Sequence, residues 1–353
     1  WSSAVAWQRR AAFVRRRLGR EALERLVQPL VGGIYTADPS DLSLRSTLPQ
    51  FLAMEREHGG LIRAVLANRR AARRSKTPSQ DARSEVEAQA SGARYGLFVS
   101  LAEGMGTLPQ ALARSLPSGT LRLNTPVRRL VRSDPQSSRC WTVELLDGPP
   151  IQADAIVLAT EAHAAARLVD SLDPELALQL RSIPYASSAI LNLAYRRDQI
   201  GHPLDGFGAV VPIIENRRIL AISFTSVKFP TRAPADSVLM RVFIGGATQP
   251  ELFDLDDDAL LAIAREEVGE LLSIKGNPVL VRMARHARAM PQYTLGHLER
   301  IEAITQQLTR HPRMALAGNA YTGVGVPDCV RSGREAADQI LAALVDPAAI
   351  AAA

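Results

Sequence analysis

Helical stripes, short unbroken apolar runs and alternating stretches succeed one another along this 353-residue chain, and their order predicts its elements. Val5 to Leu18 has helical spacing, with Trp7 and Phe13 set among arginines. Glu21 to Leu30 extends that pattern until Pro29 interrupts it, and "VGGIYTADPSDLS" is rich in turn residues and predicts a loop. "LPQFLAMEREHGG" predicts a helix closed by Gly59 and Gly60, with His58 as a favourable charge at its carboxyl end. From Asn68 to Arg94 the only large apolar residue is Val86, so a flexible surface excursion is expected there.

The next segments change period. "YGLFVSLAEGMGTLPQALARSL" predicts a strand, a glycine turn and a helix beginning near Thr107, with Pro109 tolerated in its first turn. Strand signals follow at Leu121 to Leu123 and Trp141 to Leu145, and the run "AIVLAT" (155–160) predicts a buried parallel strand leading into a helix at Ala162. Between Ile183 and Gly246, "SSAILNLAYR", "GFGAVVP", "RILAISFTS" and "SVLMRVFIGG" form successive strand-like runs with few helical periods between them. A second, largely antiparallel lobe is the expectation. Asp256 to Leu272 predicts a helix and Val279 to Arg288 a strand; "RMALAG", a glycine turn and a helix from Pro327 to Leu344 close the chain.

With 46% hydrophobic residues the chain can bury more than one core, and its two cysteines, Cys140 and Cys329, are too few for a disulfide framework. A reducing compartment is expected. The sequence opens at Trp1 rather than methionine, so residues upstream of it are expected as well. Of the net charge of +6, residues 1–94 alone hold 17 Lys+Arg against 9 Asp+Glu. That local excess fits a solvated helical face, or a surface for anionic lipid, nucleic acid or an acidic ligand. His163, His202, His286, His297 and His311 have no metal-ligand spacing, and Glu299 with Arg300 is read as support for a helix.

The closing motif "GNAYTGVGVPDCVRSGREAADQI" carries the chemistry. Gly323 and Gly325 let backbone approach a flat ligand, Pro327 suits a first helical turn, and Asp328 suits the positive end of the helix dipole. Val330, Gly333, Ala336, Ala337, Ile340 and Leu344 recur at helical spacing, small enough to lie close on a sheet. A phosphate or the pyrimidine edge of a flavin would suit such a turn, although glycine turns before helices serve purely structural roles as well.

"LAGNAYTGVGVPDCVRSGREAA" resembles the carboxy-terminal flavin-contact segment of the protoporphyrinogen oxidase family, within the flavin amine-oxidase superfamily. "QPLVGGIYTADPSDLSLRSTLPQFLAMEREHGGLI", "FVSLAEGMGTLPQALA", "DAIVLATEAHAAARL", "HPLDGFGAVVP", "FPTRAPADSVLMRVFIGGA" and "MPQYTLGHLERI" are similar to its other blocks, in order. The resemblance implies an α/β fold: an FAD-binding Rossmann-like domain, incomplete at its N-terminus, with an antiparallel-sheet substrate domain and a helical membrane-binding region. It divides the chain into a membrane-associating region over 1–94, FAD-domain parts over 95–182 and 279–345, and a substrate domain over 183–278. The family's G-x-G-x-x-G segment, and the arginine that often pairs with a substrate propionate, belong to a region this sequence does not contain.

Carried over residue by residue, Gly318 and Asn319 would end the last flavin-domain strand, and Val324, Gly325 and Val326 would lie against the flavin ring. Val127 would meet the adenine side of FAD through its backbone. Gly33, Phe207 and Val210 would contact the substrate; read without the resemblance, Phe207 and Val210 are sheet core and Gly33 serves a turn. The implied reaction removes six hydrogens from protoporphyrinogen IX in three two-electron steps, by hydride transfer to the flavin, with dioxygen as acceptor in heme biosynthesis. Coproporphyrinogen III oxidation, amine oxidation and a flavin-free porphyrin scaffold are the alternatives. Implied partners are the porphyrinogen, dioxygen, a membrane surface and a second copy in a homodimer, with no nucleic acid; the implied location is cytoplasmic and peripheral to a membrane.

Overall fold

A computed structural model describes residues 10–74, 99–133 and 140–345. The expectations for residues 1–9, 75–98 and 134–139 lie outside the described residues. The amino-terminal part is helical, with α1 (Arg10–Leu18), α2 (Gln28–Tyr35), α3 (Pro49–His58) and α4 (Leu61–Arg74). Phe13 and Val14 of α1 are buried with Leu23 and Leu44, so the aromatic ring that the sequence sets among arginines belongs to a small core. Arg16 and Arg17 both pair with Glu55 of α3, which neutralises part of the basic excess.

Pro29 does not break the helix. A π-helical turn, Leu23–Val27, widens the backbone just before α2 and sets Pro29 in the first turn of α2, where a missing N–H costs nothing. The segment expected to be a loop is therefore helical through Tyr35, and Thr36 closes it in the left-handed conformation with φ 48°. The predicted flexible stretch is likewise helical up to Arg74. Gly59 caps α3 with φ 69°, as its position predicts.

Among the described residues three sheets follow. After α5 (Thr107–Ser115), the strands β1 (Val127–Arg132), β2 (Trp141–Leu145) and β3 (Ile151–Ala153) form an antiparallel meander, and Leu121 to Leu123 is irregular rather than a strand. Next come β4 (Ile156–Leu158), α6 (Ala162–Val169) and α7 (Pro174–Arg181). Far along the chain, β10 (Met314–Leu316) pairs in parallel with β4, Ala315 opposite Val157, so the two unbroken apolar runs meet as expected. Trp141, Leu176, Leu180 and Met314 are fully buried around this parallel pair.

The third sheet has the order β6-β7-β8-β5-β9, all antiparallel: β5 (Tyr185–Arg196), β6 (Gly208–Val210), β7 (Ala221–Ser223), β8 (Ser237–Gly245) and β9 (Leu280–Pro291). Alternation decides which face is wet. Leu191, Leu193, Met240 and Val242 are buried beneath α9 (Asp257–Leu272), each contributing about 1.5–3 kcal/mol by leaving water. Asp256 caps α9, accepting the Ala259 N–H at 2.8 Å. The strand β9, grouped by sequence with the carboxy-terminal flavin segment, belongs to this sheet and pairs with β5 from Tyr185↔Pro291 to Ala194↔Leu280. The last units are α10 (His297–Leu308), β10 and α11 (Val326–Val345), which starts one residue before the expected Pro327.

Candidate functional site

The glycine loop between β10 and α11 is held from several sides. Gly318 has φ 125°, and nothing lies within 4 Å of the Cβ it lacks, so the strand end faces open space. Its N–H donates to the buried Ser332 hydroxyl at 3.1 Å, fixing the turn to α11. Gly323 has φ 150°, and a Cβ there would meet the Asp328 carboxyl carbon at 2.4 Å. Asp328 accepts the Gly325 N–H at 3.3 Å and pairs with Arg331 at 2.6 Å. The positive end of α11 is thus partly answered by its own aspartate.

Tyr293 anchors the same loop. Its hydroxyl donates to the Asn319 carbonyl at 2.7 Å and accepts the Gly323 N–H at 2.7 Å, closing the turn with one side chain. Burial pushes that hydroxyl well above the usual phenol range, so it remains a neutral donor. The ring stacks on His297, with centroids 4.0 Å apart and planes 14° from parallel. His297 is fully buried, and burial pushes its imidazole down to about 4. The neutral ring donates from Nε2 to the Tyr321 carbonyl at 3.0 Å.

The neighbouring residue extends this support to the other half of the site. Gln292 donates to the Tyr35 carbonyl at 3.0 Å, the Tyr293 carbonyl accepts the Ser43 N–H at 2.8 Å, and Thr36 accepts the Ala247 N–H at 2.7 Å. The end of α2, the sheet and the glycine loop are therefore one connected framework. On α2, a Cβ at Gly33 would lie 3.3 Å from the Val210 Cγ1, and Gln28 accepts the Ile213 N–H at 2.9 Å. Gly33 and Val210 are thus neighbours, with Val210 39% exposed on the edge strand β6 and Phe207 half-buried just before it. The plain reading of Val210 as sheet core does not hold.

Asn319, Val324 and Gly325 are half-buried in the loop, and Val326 is 52% exposed. Val127 stands elsewhere, at the start of β1, in a groove of about 470 Å³ lined also by Thr120, Arg122 and Ile151. The loop residues fit a flat ligand with polar edges. Gly318 leaves space at the strand end, and the buried Tyr321 hydroxyl has no hydrogen-bond partner among the described residues. The roles of Gln292, Tyr293 and His297 escaped the sequence reading because the helix-end and loop carbonyls they hold lie 24 or more residues away.

Residues 7–341 match the family described as flavin containing amine oxidoreductase. The coproporphyrinogen III oxidase of Propionibacterium freudenreichii subsp. freudenreichii is 36% identical over 346 residues, covering 94% of this chain and 64% of that protein. Human protoporphyrinogen oxidase is 32% identical over 338 residues, covering 94% of this chain and 68% of that protein. A crystal structure assigned as a protoporphyrinogen oxidase from Exiguobacterium sp. 255-15 superposes with a TM-score of 0.77 at 26% identity, over 96% of this chain and 67% of that one. The chain spans about two thirds of the length of the curated relatives it matches. It belongs to the flavin-containing amine oxidoreductase family, alongside the porphyrinogen oxidases, and FAD is the cofactor of its kind.

Proposed function

We propose that the protein oxidises a porphyrinogen to the corresponding porphyrin, with FAD as the immediate acceptor and dioxygen as the final one. One observation carries this reading: the Gln292–Tyr293 pair ties the helix end beside Gly33 and Val210 to the glycine loop from Gly318 to Gly325. Two surfaces of different chemistry are thereby held in fixed relation, as a reaction between two flat molecules requires. FAD, when bound, supplies the two-electron oxidation and its reoxidation by dioxygen.

The chain's own residues orient and exclude water. Gly318, Asn319, Val324, Gly325 and Val326 would hold the flavin ring, and Val127 the adenine side. Val210 and Phe207 would present apolar surface to the macrocycle, with the Gly33 backbone, whose missing Cβ makes way for Val210, beside them. Both porphyrinogens fit this reading, since coproporphyrinogen III oxidases match at 36% and 30% identity and human protoporphyrinogen oxidase at 32%; we favour coproporphyrinogen III, a choice that the 36% relative supports. Turnover of the two measured side by side with the full-length protein tests this. Higher kcat/KM on coproporphyrinogen III supports the assignment, and oxidation of neither overturns the reading.

A peripheral membrane location is part of the proposal. Among the described residues no helix is long and apolar enough to cross a membrane. Ile62, Val65 and Leu66 are exposed on α4 between Arg63, Arg69 and Arg70, which supports contact with an anionic lipid surface. Pairing into a homodimer belongs to the same reading.

A further inference from the structure

The open face of the five-stranded sheet carries two parallel rows of opposite character. Opposite one another across the five adjacent strands stand Val210 and Ala221, then Phe243, Ile190 and Ala284. Two residues further along the strands, about 7 Å away, the aligned positions are Gly208, Ser223, Arg241, Asn192 and Arg282. Side chains two apart on a strand share a face, so the apolar row and the cationic row line one surface. Their neighbours on the other face, Ile222, Val242, Leu191 and Met283, pack into the core.

The cationic row is built into the fold. Arg241 donates from Nε to the Asn192 side-chain oxygen at 3.1 Å, leaving the rest of its guanidinium exposed. The short helix α8 (Thr225–Lys228) is fixed beside β8, past the end of β7, because the Ser226 hydroxyl accepts the Leu239 N–H at 3.0 Å. Lys228 ends that helix half-buried, and burial, then the charge of Arg241, holds its amine below the usual lysine range. Among the described residues no carboxylate forms an ion pair with Arg241 or Arg282. Two cations brought together beside apolar surface are stabilised when an anion joins them.

We propose that Arg241, with Lys228 and Asn192 beside it, binds carboxylates at the edge of a macrocycle that lies on the Val210–Phe243–Ile190 row. This rests on the porphyrinogen reading and deepens it, because it makes Arg241 a specificity-determining residue that favours a tetracarboxylic substrate. The bidentate guanidinium would take one carboxylate, with Asn192 holding its orientation. Lys228 would add a second charge beside Arg241.

The test is equilibrium binding to the full-length flavoprotein, followed by fluorescence, of coproporphyrin III and of its uncharged tetramethyl ester. Wild type is compared with Arg241→Gln and Lys228→Met, each first shown to retain flavin absorbance. Arg241→Gln should weaken coproporphyrin III about tenfold while leaving the ester within about twofold. Equal affinity of wild type and variants for the free acid, or equal losses for acid and ester, overturns the proposal while the porphyrinogen reading stands. Wild-type protein that binds neither porphyrin and oxidises neither porphyrinogen overturns both.

Discussion

Replacing Tyr293 by Phe keeps the ring that stacks on His297 and removes only the hydroxyl. That atom makes two bonds of 2.7 Å, one given to the Asn319 carbonyl and one received from the Gly323 N–H. Both loop residues are half-buried, so water can replace part of each lost bond, and a net loss of about 1 kcal/mol apiece is appropriate. The sum, about 2 kcal/mol, falls on the ordering of the loop from Asn319 to Gly323. If the loop must be ordered to hold the flavin, the dissociation constant for FAD rises about 30-fold. Titration of flavin-stripped protein with FAD, read by quenching of flavin fluorescence, measures it. An unchanged dissociation constant for Tyr293→Phe refutes the role assigned to Tyr293, whereas a lower melting temperature with unchanged FAD affinity makes the clamp purely structural.

The glycine loop is equally exposed to test at Gly323. Ala there adds a Cβ 2.4 Å from the Asp328 carboxyl carbon and 2.6 Å from the Asp328 Cβ at φ 150°, and should cost about 1–3 kcal/mol of stability; adding Asp328→Ala should leave most of that loss in place, because the Cβ contact and the backbone strain both remain, as melting temperatures would show. His297 is neutral in the fold, with a value near 4 against 6.5 when unfolded. The unfolded chain therefore binds more protons between those values, and stability should fall as pH drops from 6.5 toward 4, by up to about 3 kcal/mol. Urea midpoints of wild type and His297→Asn at about pH 7 and about pH 5 should differ in slope, and parallel behaviour would contradict a buried neutral ring. Ile62→Ser with Leu66→Ser should reduce cosedimentation with vesicles of anionic phospholipid, and undiminished binding would remove α4 from the membrane contact.

Much of the scaffold was legible because its signals are local. The apolar runs "AIVLAT" and "RMALAG" became the parallel strands β4 and β10, and the alternating run from Ser237 to Gly245 became the central strand of the five-stranded sheet. The helix α9 was expected over Asp256 to Leu272, and the fold shows Asp256 capping it. Where partners are distant, the signal failed. The strand β9 carries Arg282, Arg285, His286 and Arg288 and reads as a basic surface strand, and only its pairing with β5 places it in the antiparallel sheet. A proline inside a helical pattern reads as a stop, and the π turn that accommodates Pro29 has no local mark of its own. At the site, the resemblance named the glycine loop and set Gly33 and Val210 each against the substrate, while their contact with one another shows only in the fold; Tyr293 occurs in "MPQYTLGH" with nothing nearby to show that its hydroxyl closes a loop 26 residues on. Arg241 is similarly silent until cross-strand register sets it beside Asn192.

The central claim is that a porphyrinogen reduces the flavin this family carries. Anaerobic mixing of the full-length flavoprotein with coproporphyrinogen III, followed by its visible spectrum, tests it directly. The account predicts bleaching of the oxidised flavin band together with growth of porphyrin absorbance, and return of the flavin band when dioxygen is admitted. A flavin band that stays unchanged with either porphyrinogen present would contradict it.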